Sequence, residues 1–254
     1  MRWPRPALGI LGGMGPLATA DFYRRLIERT PAVTDQGHLP VLMWADPAVP
    51  DRTAALLGEG PSPVPALVEG ARWLKQAGAR YLAVPCNTAH AYVEQLSKAA
   101  GVEVLDMVKA ALAAATETAP GAKRVGILAT RGTRLAGLYE RAGARLGLDV
   151  IQVPARVQRE YVDAAIRAVK GGADLAAAEQ WIASATETLK GQGAQVAIAA
   201  CTEIPLVSGA AARVLPLVDS TDALVDAVVS RLWTPDELVP GNGTPGVSSS
   251  ARTK

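Results

Sequence analysis

The sequence predicts an α/β protein of two similar domains, each built on a parallel central sheet and related to the other by a pseudo-twofold axis. Three observations predict it. Short apolar runs alternate with longer stretches of helical spacing, the β-α-β order that gives parallel strands covered by helices on both faces. The plan of the first half recurs in the second at a nearly constant offset. The only two cysteines, Cys86 and Cys201, fall in register with that repeat.

Ala7–Leu11 reads as a strand, ended by Gly12-Gly13-Met14-Gly15, with a helix from about Leu17 to Thr30. Val41–Ala45 is the second strand. Val64–Ala77 places Leu67, Ala71 and Leu74 on one helix face. Arg80–Val84 is the third strand, a helix is expected directly after Cys86, and Val102–Leu105 closes the half. In the second half Arg124–Leu128 echoes Ala7–Leu11. Leu74-Lys75 recurs as Leu189-Lys190 and Gly78-Ala79 as Gly193-Ala194, while Val104-Leu105 has a weaker echo in Val214-Leu215. The expected domains are 1–115 and 116–216, with a disordered, Gly/Pro/Ser/Thr-rich tail at 236–254.

Composition narrows the function classes. Aromatic residues make up only 4% of the chain, so the core is aliphatic, as helices on parallel strands require. A net charge of +2 points to neither a nucleic acid nor a membrane surface as partner. Two cysteines do not make a disulfide framework. The apolar run after Arg2 and Arg5 breaks into glycines too soon for a signal peptide, and no run reaches membrane-spanning length, so a cytoplasmic location is expected.

Each cysteine ends a buried strand. Ligands of open α/β sheets bind outside the carboxyl ends of strands, so a pseudo-dyad brings both thiols to one interdomain cleft, the expected active site. Inverting a stereocentre by proton transfer needs a base on one face and an acid on the other. Thiols suit both tasks because their ordinary pKa lies near neutrality. Thr88 and Thr202 stand where they can donate hydrogen bonds, and Glu203 either tunes Cys201 or shuttles its proton. Other readings stay open at this point. A cysteine can be a small buried hydrophobe. A redox dithiol favours C-x-x-C, and a zinc site needs more ligands than these cysteines with His38 and His90 supply in recognisable spacing. His90, one helical turn after Cys86, reads as a cap or packing residue before a base.

In order along the chain stand Gly12-Gly13-Met14-Gly15-Pro16-Leu17-Ala18-Thr19, Asp35-Gln36-Gly37-His38 and Pro50-Asp51-Arg52-Thr53. Pro85-Cys86-Asn87-Thr88-Ala89-His90, Cys201-Thr202-Glu203-Ile204-Pro205-Leu206 and Val218-Asp219-Ser220-Thr221 follow. With these segments the sequence resembles the aspartate/glutamate racemase family, and its aspartate branch most. The resemblance implies two α/β domains with the active site between them. It implies L- and D-aspartate, with glutamate as a further candidate, as the interconverted pair, and neither pyridoxal phosphate nor a metal. It implies Cys86 and Cys201 as the proton-transfer pair and Arg52 on a substrate carboxylate. Asn87 and Thr88 are implied on the α-carboxylate, with Met14 and Thr202 among the substrate-binding residues. A C-terminal helix over 217–235 that returns to the first domain and a homodimer are further implications. Lys170 resembles a substrate-contacting lysine of the aspartate branch but also suits a solvated helix end; Thr130 and Thr133 follow the second domain's first strand and are candidates to line the cleft.

Two departures bear on specificity: Trp44-Ala45-Asp46 replaces small polar residues, and Ala200 stands where glycine is usual. Alternatives are a diacid cis-trans isomerase or a malonate decarboxylase on the same fold, and a non-catalytic amino-acid sensor. A nicotinamide-dependent oxidoreductase, suggested by Gly13-x-Gly15-x-x-Ala18, is a fourth.

Overall fold

The computed structural model describes residues 7–234. The N-terminal Met1–Pro6 and the expected disordered tail, 236–254, lie outside the described residues.

Two four-stranded parallel sheets form the frame. The first is ordered β2-β1-β3-β4 from β1 (Ala7–Gly12), β2 (Val41–Ala45), β3 (Ala79–Ala83) and β4 (Glu103–Val104). The second repeats the order as β6-β5-β7-β8, from β5 (Arg124–Ala129), β6 (Asp149–Gln152), β7 (Val196–Ala200) and β8 (Leu217–Asp219). Around the first sheet run α1 (Pro16–Arg29), α2 (Arg52–Leu57), α3 (Val64–Gln76) and α4 (Val93–Ala100). Helix α5 (Met107–Thr118) leads into the second half, which carries α6 (Arg131–Leu135), α7 (Leu138–Arg145), α8 (Ala155–Val157), α9 (Asp163–Gly171), α10 (Leu175–Gly191) and α11 (Gly209–Ala212). A π-helical turn, Gln158–Val162, joins α8 to α9, and α12 (Ser220–Leu232) ends the described chain.

The internal repeat has a packing basis. A methyl group on Gly9 would meet Leu74 Cβ at 3.3 Å and Ala79 Cβ at 3.0 Å. One on Gly126 would meet the repeat-related Leu189 Cβ at 3.1 Å and Ala194 Cβ at 3.2 Å. In both halves the central strand therefore gives up its side chain so that a helix can lie close on it.

Sequence reading placed one strand wrongly. The echo of β4 is β8, with Glu103 and Leu217 114 residues apart, not Val214-Leu215. The segment expected as helix from 217 accordingly opens with three residues of strand paired to β7, and the helix starts at Ser220. Asp219 ends β8 and caps α12, its carboxylate accepting from the Thr221 amide at 2.7 Å, so strand and helix meet with no loop between them.

Helix α12 then crosses to the first half. Its Leu224, Val225, Val228 and Leu232 share a buried cluster with Leu8 and Ile10 of β1 and Phe22 and Leu26 of α1. Arg25 of α1 pairs with Asp219 and Asp222, and Arg29 with Asp222 and Asp226. Among the described residues no helix is long and apolar enough to cross a membrane.

Trp44, the residue that departs from the family pattern, lies against α3. A methyl on Gly70 would come within 2.5 Å of its Cε3, so Gly70 makes room for the indole.

Candidate active site

The carboxyl ends of the strands of both sheets open onto one cavity, with about 310 Å³ of empty space including its mouth. Met14 comes from the turn after β1, Asp51, Arg52 and Thr53 from the start of α2, and Cys86, Asn87 and Thr88 from the segment after β3. The second half supplies Thr130 after β5, Lys170 of α9, and Cys201, Thr202 and Glu203 after β7. Both free thiols are buried and line this cavity from the two halves.

The surroundings of the two thiols differ. Cys201 Sγ donates to Glu203 Oε2 at 3.0 Å, and Thr202 Oγ1 donates to the same oxygen at 3.3 Å. Burial pushes the Cys201 thiol well above its usual range, and the Glu203 carboxylate pushes it further. Lys170, with Nζ 4.0 Å from Glu203 Oε1, opposes that shift. Cys201 is therefore held as a thiol whose proton faces a carboxylate.

The residues after Cys86 do not run straight into an α-helix as the sequence suggested. A 3-10 turn, Thr88–Tyr92, intervenes before α4, and a second, Ile204–Val207, follows Cys201. His90 fixes the first turn. Its Nδ1 donates to the Cys86 carbonyl at 2.9 Å, and its Nε2 accepts from the Met107 amide at 3.0 Å, capping the start of α5. A ring that accepts at Nε2 is neutral, and burial lowers its pKa, opposing a proton there. A depressed histidine contributes stability above its unfolded pKa, about 6.5, and loses it as pH falls through the folded value. Unfolding free energy measured from pH 7.5 to 5 is expected to fall on the acid side. His90→Asn should flatten that slope by up to about 1.4 kcal/mol per pH unit.

Arg52 is 8% exposed and lies on the cavity wall. Its Nη1 donates to the Val49 and Pro50 carbonyls and its Nη2 to the Met14 carbonyl, at 3.2–3.3 Å. Its Nε is buried without a partner, and no carboxylate among the described residues pairs with it. A buried cation without a counter-charge is costly, so the site favours an anionic ligand.

Asn87 lines the cavity, but its side chain is engaged elsewhere. Tyr139 donates its hydroxyl to Asn87 Oδ1, Asn87 Nδ2 donates to Ser220 Oγ at 3.0 Å, and Ser220 donates to the Ala199 carbonyl. This chain ties the Cys86 loop to α7, α12 and β7. Thr88 Oγ1 shares hydrogen bonds of 2.9 Å with both Thr130 and Thr133, a three-hydroxyl ring across the two halves. Thr133 is fully buried behind Thr88 and is not among the lining residues, because Thr88 and Thr130 stand in front of it. Tyr139→Phe should leave Asn87 Oδ1 unsatisfied and cost about 1–3 kcal/mol in denaturant unfolding. An Asn87→Ala, Tyr139→Phe double-mutant cycle reads the coupling directly.

Asp51 and Thr53 line the cavity and were not singled out from sequence. Asp51 caps α2, accepting from the Ala54 amide at 2.7 Å, and a Pro-Asp before a helical run is the available signal. The glycine turn suggestive of a dinucleotide site is occupied by its own chain, since a methyl on Gly13 would sit 2.4 Å from the Asp46 carbonyl oxygen. Asp46 itself accepts from the Ala48 amide. Among the described residues no three His, Cys, Asp or Glu side chains cluster to hold a metal ion.

Comparison with known proteins agrees with this geometry. A curated relative, the broad specificity amino-acid racemase RacX of Bacillus subtilis, is 27% identical over 229 residues, covering 88% of this chain and 96% of its own. The structure resembles an aspartate racemase of Picrophilus torridus, with a TM-score of 0.74, 26% identity, and 89% and 94% of the two chains covered. It shares its fold with a glutamate racemase of Francisella tularensis solved with D-glutamate, with a TM-score of 0.66, 17% identity, and 90% and 81% covered. The sequence profile of the Asp/Glu/Hydantoin racemase family matches residues 11–228. The chain belongs to the Asp/Glu/Hydantoin racemase family.

Proposed function

We propose that the chain interconverts the enantiomers of free amino acids by two-base proton transfer between Cys86 and Cys201, with aspartate and glutamate as substrates. One observation carries the reading: the two thiols, at matching strand ends of the two halves, line a single cavity. In one direction Cys86, as thiolate, removes the α-proton, and Cys201 delivers its proton to the opposite face. In the reverse direction the roles exchange. Cys201 starts as the acid because burial and Glu203 hold its proton; the forward step leaves Cys86 as thiol and Cys201 as thiolate, the pair the reverse step uses.

Arg52 holds a substrate carboxylate, which neutralises charge that would oppose carbanion formation. Its unpartnered Nε supports this role. Asn87 serves through its backbone, since its amide side chain is the strut between Tyr139 and Ser220. Thr88, Thr130 and Thr202 supply hydroxyls at the cavity wall, with Met14 as an apolar neighbour, while Thr133 supports Thr88 from behind.

Incubation with single enantiomers in heavy water tests the reading. L-Aspartate or L-glutamate is expected to lose optical rotation as its α-position fills with deuterium, with no added cofactor. Deuteration of neither, alone or with other amino acids tried, would leave the two-base reading without support.

A further inference from the structure

The cavity wall has a second side. Met14, Arg52, Lys170 and Glu203 line both the reaction cavity and an adjoining chamber with about 660 Å³ of empty space, including its mouth. The remaining surface of that chamber is largely apolar: Pro16, Leu17 and Ala18 at the start of α1, Pro47, Val169 of α9, and Leu206. It brings no charged side chain beyond the three it shares. The chamber lies at the junction of the halves, since a methyl on Gly15 would stand 3.4 Å from Glu203 Oε1.

The charges point the same way. Four charged side chains line the reaction cavity, Arg52 and Lys170 against Asp51 and Glu203, and their formal charges cancel. The Glu203 oxygens are already engaged, one by Cys201 and Thr202, the other near Lys170. Of the two cations in the cavity lining, Lys170 is near Glu203 and Arg52 pairs with no carboxylate among the described residues, so Arg52 suffices for one substrate carboxylate. An amino acid with a neutral side chain brings one carboxylate and no net charge. An acidic amino acid brings a second carboxylate whose nearest spare cation, Lys170, is shared with Glu203.

From these two observations we infer that the enzyme also racemises amino acids with unbranched or branched aliphatic side chains of about the size of methionine or leucine. The side chain lies in the apolar chamber against Leu206, Val169 and Pro47, and the α-carboxylate lies on Arg52. The bonds made and broken are those of the two-thiol reading, on which this inference rests; only the side chain's resting place is new.

The test compares L-methionine with L-aspartate by α-deuteration in heavy water, in the wild type and in Leu206→Trp, whose indole fills the chamber from its rim. Methionine is expected to exchange and to lose rotation. In Leu206→Trp its kcat/KM should fall by about tenfold or more, since a lost apolar fit of this size is worth that much. Aspartate turnover should stay within about threefold of wild type, which also reports that the variant is folded. Aspartate exchange without methionine exchange would overturn the inference and leave the two-thiol reading standing. Equal losses for both substrates in Leu206→Trp would also overturn it, by making the chamber a common entrance. Exchange of no amino acid would sink the two-thiol reading itself.

Discussion

Replacement of Cys201 by alanine is expected to cut racemisation by roughly 10² to 10⁴-fold, the usual worth of a positioned acid or base, and to leave a diagnostic residue of activity. With one thiol gone, the survivor can still remove an α-proton from the face it serves and return a solvent-derived one to that same face. That exchanges the α-hydrogen of one enantiomer without inverting it. Cys201→Ala should therefore deuterate one enantiomer of the substrate in heavy water, and Cys86→Ala the other. Proton NMR of separate L- and D-substrate incubations checks this. A variant that keeps racemisation within tenfold of wild type, or that exchanges both enantiomers equally, removes the two-base mechanism.

The second large effect is expected at a residue outside the cavity lining, directly behind it. Gly132 of α6 lies where the second half touches the first. A methyl there would sit 2.8 Å from Thr53 Cα and 3.0 Å from Thr88 Cγ2. Alanine suits a helix better than glycine by about 1 kcal/mol, so the backbone itself does not oppose Gly132→Ala. The cost falls on the contact. Thr53 Cα is backbone and yields little, so the added methyl forces the halves apart and separates the thiols from a shared substrate. A misplacement of about 1 Å costs about 10²-fold in kcat/KM. Gly132→Ala is expected to show that loss while its unfolding free energy stays within about 1–3 kcal/mol of wild type, the scale of a local overpacking. Steady-state kinetics alongside denaturant unfolding decides it. Unchanged kcat/KM would mean that the contact does not set the cleft width.

What could be read from sequence followed from long-range symmetry. The Gly9 and Gly126 strands, the Leu74 and Leu189 helices and the two cysteines repeat together, and the repeat alone places both thiols at strand ends. Arg52, Lys170, Glu203 and Thr130 were also identified, and all line the cavity. What escaped depended on partners distant in sequence or on side-chain direction. Nothing near Asn87 announces that its amide is saturated by Tyr139, 52 residues on, and Ser220, 133 residues on. Thr130 and Thr133 look alike in the chain, yet Thr130, the cap of α6, lines the cavity, while Thr133, inside α6, is fully buried with its hydroxyl bonded to Thr88 and Thr130. The strand β8 was misplaced because three residues carry too little periodicity to separate them from the helix they enter.

The return of α12 to the first half also has a consequence for synthesis. Leu8, Ile10, Phe22 and Leu26 leave the ribosome well before the helix whose Leu224, Val225 and Val228 cover them. The stretch from Arg124 to Asp219 holds a whole sheet of its own. A nascent chain can thus complete its middle while its beginning still shows bare apolar surface. Stalled intermediates ending before Ser220 should bind chaperones through those early residues and release them once α12 emerges.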